Sequence, residues 1–236
     1  MAVQASVSFG FGFFVAPAAL AAFRPAQAVT LLLLLALLIN ALVLFAEGRE
    51  RTLDATAVAL LCAWALPGIV GGAFVVRHVD ARVLQVAIGL GIVAAAALQA
   101  RAPREASSKP PGPRGGPTLA AGGICAGALT TATSLNGPAV VLTLARVGMR
   151  GHLLRDSAAA TFIVLAVVGT AALAILVRPS HALPHRPLLL ALVPAVLVGH
   201  RLGAALFRRL DAERHRRLVL GAAMAAGAAS VVAGLA

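Results

Sequence analysis

The chain has 236 residues, 60% of them hydrophobic and only 12% charged, with a mean hydropathy of +0.94. A soluble domain carries about twice that share of charge, so an ordinary water-soluble fold is excluded. The formal charge of +12 comes mostly from arginines clustered between apolar runs. Such clusters orient a membrane protein and are not a nucleic-acid footprint.

The expected fold is an all-α polytopic membrane protein, because apolar runs near 20 residues recur, each able to cross about 30 Å of hydrocarbon. The alternation of a β-barrel is absent. Segment one runs from about Val3 to Phe23 and is interrupted by Gly10, Gly12 and Pro17. Pro25-Ala26-Gln27-Ala28 resembles a signal cleavage site, but no positive residue precedes the apolar run, so segment one is read as retained. Segment two runs from about Ala28 to Ala46; Leu31 to Leu38 gives it a leucine face suited to lipid, and Asn40 interrupts it. Segment three, about Ala55 to Val76, follows the polar loop Glu47–Asp54, and segment four runs from about Val83 to Ala100. Residues 101–117 form a Pro/Gly-rich basic linker.

The rhythm then repeats. Segment five spans about Thr118 to Ala145, the polar loop Arg146–Asp156 follows, and segment six runs from about Ser157 to Val177. A loop with His181 and His185 leads to segment seven, about Pro187 to Phe207, and segment eight begins near Leu218. Gly68 to Ala81 aligns with Gly199 to Ala212 without gaps, and Gly68/Gly199, Gly72/Gly203, Arg77/Arg208 and Asp80/Asp211 are identical pairs. The chain therefore divides into a first repeat at 1–100, the linker at 101–117 and a second repeat at 118–236. About eight transmembrane segments are expected, the first of each repeat broken or re-entrant. The small-xxx-small spacing of Gly68 and Gly72 reads as close helix packing.

If every segment crosses once, Arg24, Arg77, Arg82, Arg146, Arg150, Arg155 and the Arg208–Arg217 cluster share one side. That larger basic set is expected in the cytoplasm, with the linker outside. A re-entrant segment changes the parity.

Segment five carries the chemistry. Thr130, Thr131, Thr133, Ser134 and Asn136 precede Gly137-Pro138 inside an apolar run. Lipid tolerates such a break only where protein or a polar cavity surrounds it. Pro138 is suited to open a new half-helix, whose N–H groups and positive dipole end favour an anion. The alternative is that the hydroxyls bond back to their own helix and glue helices together. Gly12 and Pro17 hold the matching position in the first repeat, where Pro17 is either the same kind of break or a plain kink. Arg155 is either a gate for anions or an orienting charge, and Arg201, beside His200 within segment seven, is either a substrate contact or a snorkelling side chain. Asn40 reads as interhelical glue. All eight acidic residues fall in loops or at segment ends, away from the mid-membrane positions of proton relays. An anion leaving an inside-negative cell gains about 2.3 kcal/mol per charge per 100 mV, so export needs no proton coupling.

Gly123-Ile124-Cys125-Ala126-Gly127, Thr130 to Ser134, Asn136-Gly137-Pro138-Ala139-Val140-Val141 and Leu154-Arg155-Asp156-Ser157 together resemble the sulfite exporter TauE/SafE family of bacterial membrane transporters. The resemblance spans essentially the whole chain. It departs at the first repeat, where the family has a denser glycine cluster than Gly10 and Gly12. It implies multi-pass residence in the bacterial inner membrane and export of small anions such as sulfite, organosulfonates or related sulfur oxyanions.

The expected partners are thus a small anion, the lipid bilayer and, as a candidate, a second copy of the chain; nucleic acid, metal and cofactors are not expected. No catalytic triad, phosphate-cradling loop or ATP motif is present, so an enzyme is not expected. The competing readings are a membrane thiol-redox carrier using Cys62 and Cys125, and an anion uptake carrier.

Overall fold

The computed structural model describes residues 25–45, 52–101 and 116–177, Ala19 and Phe23, and most of 221–235. Segment one with Gly12 and Pro17, segment seven with Arg201, most of the linker and the Gly199–Ala212 copy of the repeated turn lie outside the described residues. Among the described residues all regular structure is helical. The helices are α1 (Pro25–Phe45), α2 (Ala55–His78), α3 (Ala81–Arg101), α4 (Gly116–Thr133), α5 (Gly137–Arg146) and α6 (Gly151–Leu176). Residues 227–232 are helical too.

The 24 residues of α2 and 26 of α6 are long and apolar enough to cross a membrane, at about 36 and 39 Å for a 1.5 Å rise. Asp54 starts α2 by accepting the Ala57 N–H on its side chain at 3.0 Å, an N-cap that satisfies one of the orphan donors of the first turn. The same aspartate donates its own N–H to Ser157 Oγ at 3.1 Å, and Thr52 donates its N–H to Asp156 Oδ2 at 3.1 Å. At the far end Arg77 donates to the Leu176 carbonyl at 3.4 Å, placing a cation on the negative end of α6. The starts of α2 and α6 therefore lie together, as do their ends. The two helices run parallel.

Helix α4 runs parallel to both. Leu61 meets Gly123, Ala65 meets Gly127, and Thr131 Oγ1 donates to the Ile69 carbonyl at 2.8 Å, a constant register along the pair. The seam is backbone on backbone. A Cβ at Gly68 would overlap the Ile124 carbonyl, and one at Gly127 would overlap the Ala65 carbonyl. Close packing is thus the role of Gly68 and Gly72, as their spacing suggests.

Helix α5 returns. Asn136 at its start bonds Thr130, near the end of α4, while Thr143 near its finish packs on Gly122, near the beginning of α4. Segment five is therefore a helical hairpin that comes back to the end where α2, α4 and α6 begin, so Arg146, Arg150 and Arg155 lie at the opposite end from Arg77. The cause is the reversal at Ser134 to Asn136, where the chain turns through a left-handed residue, Ser134 at φ +58°.

Two other sequence expectations are corrected. The leucine run of α1 does not face lipid: Leu31, Leu32, Leu33 and Leu35 are buried among Ala73, Val76, Ile88, Ile92, Ala166 and Leu173. A helix apolar on every side is the one a fold can surround. Exposed apolar side chains are instead on α2, with Trp64, Leu66, Val70 and Phe74, and on other helices, among them Leu90 of α3 and Val164, Val167 and Ile175 of α6. Second, residues 151–156 are not loop, because α6 begins at Gly151. The charges there mask a helical turn whose Asp156 and Ser157 are buried as acceptors for the chain entering α2.

Helix α3 pairs with the C-terminal helical residues. Gly89 abuts Gly227, where an added Cβ would lie 2.7 Å from the Gly227 carbonyl oxygen, and Ser230 Oγ donates to the Gln85 carbonyl at 3.1 Å.

Candidate functional site

The break between α4 and α5 is built from within. Thr130 Oγ1 donates to the Ala126 carbonyl at 2.7 Å, and Thr133 Oγ1 donates to the Leu129 carbonyl at 3.0 Å. Thr131 Oγ1 bonds the Ile69 carbonyl of α2, with its own Gly127 carbonyl at 3.5 Å. The Ser134 N–H closes the last turn onto the Thr130 carbonyl at 3.2 Å. Of the last-turn carbonyls of α4, that of Thr130 thus carries a donor, while the threonine hydroxyls go to carbonyls one turn back or across to α2.

The beginning of α5 is different. Asn136 occupies the cap position and makes no side-chain cap bond, and Pro138 stands in the first turn. The Asn136 carbonyl accepts the Val140 N–H at 3.1 Å, so the α-helical ladder starts there. Pro138 carries no N–H, so the first-turn donors without a partner in their own helix are those of Gly137 and Ala139. The Asn136 side chain points back to α4, where Nδ2 donates to Thr130 Oγ1 at 2.7 Å. Thr133 Oγ1 accepts the Leu135 N–H at 3.2 Å.

Behind the break the protein is dry and full. Thr130 and Thr131 are completely buried. A Cβ at Gly169 of α6 would lie 2.9 Å from Thr130 Cγ2 and 3.3 Å from Leu33 Cδ1. The side of the break open to a ligand is that of Ser134, Leu135 and Gly137, all half-buried.

The model of the sulfite exporter TauE/SafE family matches residues 1–230, nearly the full chain. The chain belongs to the sulfite exporter TauE/SafE family. Members of this family are membrane transporters of the sulfite and sulfur-anion exporter type. No curated protein and no solved structure matches the chain.

Within the TauE/SafE frame, the structure brings together Thr130, Thr131, Thr133, Ser134, Asn136, Gly137 and Pro138. Gly12, Pro17 and Arg201 lie outside the described residues. Arg155 is apart from the break: it sits half-buried in the second turn of α6, beside the buried Asp156. Asn40 is not the interhelical bridge expected of it. Its Nδ2 donates to the Ala36 carbonyl of its own helix at 2.8 Å, and its buried Oδ1 has no partner among the described residues. Cys62 on α2 and Cys125 on α4 are free thiols. Sequence reasoning missed Asp156 and Ser157 as latches for the chain entering α2. Their position directly after a charged turn was the available signal.

Proposed function

We propose that this TauE/SafE protein is an inner-membrane exporter of small sulfur oxyanions, sulfite or an organosulfonate, working by alternating access around the α4–α5 break. The observation that carries the reading is the asymmetry of the break. On its α4 side the hydroxyls of Thr130 and Thr133 turn back onto the Ala126 and Leu129 carbonyls, that of Thr131 reaches across to the Ile69 carbonyl of α2, and the Ser134 N–H closes on the Thr130 carbonyl. Its α5 side offers first-turn N–H groups and the positive end of a helix dipole, which suits an anion and disfavours a cation. Ser134, Asn136 and the backbone at Gly137 are the contacts to the substrate; Thr130, Thr131 and Thr133 shape the turn that presents them. Pro17 and Gly12 supply the corresponding break of the first repeat, and Arg155 and Arg201 act on the anion's path.

The end where α2, α4 and α6 begin is the cytoplasmic one. The sequence leading into α2 carries Arg49 and Arg51, the sequence leading into α4 carries Arg101, Arg104, Lys109 and Arg114, and the α5–α6 junction carries Arg146 and Arg150. The opposite end has Arg77 and Arg82 next to the α2–α3 turn and, in the sequence directly after α6, Arg178. This bias supports the assignment, and it places the basic linker inside the cell together with the other basic loops.

Efflux of labelled sulfite from proteoliposomes tests the function. The purified chain is expected to accelerate efflux, and an imposed potential, negative on the loaded side, to accelerate it further. Leakage equal to that of protein-free liposomes for sulfite and for a panel of sulfonates would refute the substrate class.

A further inference from the structure

We propose that α5 is the moving gate of the transport cycle and that α4 is the fixed post it closes against. The inference rests on the anion-transport reading of the break and adds which element moves.

The two arms of the hairpin are held in different ways. Helix α4 lies against α2 through main chain: Gly68 on the Ile124 carbonyl, Gly127 on the Ala65 carbonyl, and Thr131 bonded to the Ile69 carbonyl. Main-chain atoms cannot rotate aside, so sliding or parting this seam breaks many contacts at once. Helix α5 has 10 residues and is held by side chains. Val140 and Leu144 pack into the cluster that holds Ala158, Phe162 and Leu165 of α6, Thr143 rests on Gly122, and Leu142 on the opposite face is half exposed. Side chains can change rotamer and re-form such contacts in a second position.

The ends of α5 are jointed. Among the described residues, positive φ occurs at Ser134 (+58°), Gly148 (+93°) and Gly151 (+57°), and these flank α5 on both sides. Local backbone in this region is where hinges absorb rotation. Besides the Ser134–Asn136 link, one side-chain bond among the described residues ties the start of α5 to the post, Asn136 Nδ2 to Thr130 Oγ1. Releasing it lets α5 turn about the Gly148–Gly151 joint and carry its first-turn N–H groups, with the bound anion, from one access path to the other.

Two engineered disulfides separate gate from post. A Cβ at Gly122 would lie 2.8 Å from Thr143 Cβ, and a Cβ at Gly123 would lie 2.8 Å from Trp64 Cβ. Both pairs can be bridged with a shift of about 1 Å. In a Cys62→Ala, Cys125→Ala background, Gly122→Cys with Thr143→Cys locks α5 to α4, and Trp64→Cys with Gly123→Cys locks α2 to α4. Efflux of a labelled sulfonate, used because sulfite itself cleaves disulfides, is compared before and after oxidation by diamide and after reduction by dithiothreitol, so each protein is its own folding control. The α4–α5 lock is expected to cut efflux at least tenfold and reversibly, and the α2–α4 lock to leave it within twofold. Efflux that survives the α4–α5 lock, or stops with the α2–α4 lock, overturns the proposal. A second readout does not depend on transport. Leu135→Cys is labelled from each side of the membrane with and without the oxidised α4–α5 pair. The lock is expected to suppress labelling from one side by about tenfold. If the reduced proteins carry no sulfonate, the anion reading fails, and an unchanged labelling pattern then overturns the gate separately.

Discussion

Consider Gly127→Ala, one methyl added on the α2–α4 seam. The new Cβ would overlap the Ala65 carbonyl oxygen, lie 2.8 Å from its carbon and 3.0 Å from Ala65 Cα. Carbon contacts settle at about 3.5–4.0 Å, so the helices must part by roughly 1 Å. Overpacking of this kind costs about 1–3 kcal/mol. Parting the seam also stretches the 2.8 Å bond from Thr131 to the Ile69 carbonyl, whose loss adds about 1 kcal/mol. The sum is about 2–4 kcal/mol. Gly71→Ala on the same stretch of α2 is the control, because a Cβ there meets nothing within 4 Å. It is expected to be neutral or to stabilise by up to about 1 kcal/mol through helix propensity. Unfolding in detergent reads both variants. The chain's one tryptophan, Trp64, lies on the seam with its Cβ against Gly123, so its emission reports the parting of the helices. Equal unfolding midpoints for Gly127→Ala and Gly71→Ala would refute the backbone-on-backbone seam.

Three further expectations follow from the geometry. Asn136→Ala removes the bond to Thr130, worth about 1 kcal/mol of local stability, and is expected to lower sulfite efflux at least tenfold while membrane insertion and detergent stability stay near wild type; wild-type efflux removes Asn136 from the site. Ser108→Cys in the linker and His152→Cys at the start of α6 are expected to react with a membrane-impermeant maleimide from the same side, whereas labelling from opposite sides would mean that segment five crosses. Asp156→Ala deletes the charged acceptor of the Thr52 N–H, a bond worth about 1.5–3 kcal/mol, and is expected to speed trypsin cleavage after Arg51 several-fold; an unchanged cleavage rate removes the latch.

Ser134-Leu135-Asn136-Gly137-Pro138 is readable as a break because small residues and a proline inside an apolar run leave backbone groups that only a special environment satisfies. Pro138 in the first turn of α5 and the glycine packing of Gly68 were legible for the same reason, since each depends on local sterics. The direction taken after the break was not legible. It is set by which partner Thr143 meets, and that partner, Gly122, is a contact between distant residues. The threonines were ambiguous because a hydroxyl in a helix can serve a ligand or its own i−4 carbonyl with equal ease; Thr130 and Thr133 take the second option. Burial of Leu31 to Leu35 was misread because lipid and protein interior select the same side chains. The start of α6 was missed because hydropathy records the charges of Arg150, Arg155 and Asp156 and not the backbone bonds that Asp156 and Ser157 accept.

The return of α5 also has a consequence for handedness in the membrane. A four-segment unit with one re-entrant hairpin makes three full crossings, and three is odd. A chain that runs through such a unit twice begins its second copy from the opposite face of the bilayer. Duplication of a unit like this yields two halves that are upside down relative to each other. The inward-open and outward-open states can then be the same pair of conformations with the halves exchanged, so the parity of one hairpin is enough to give a duplicated chain two equivalent doors.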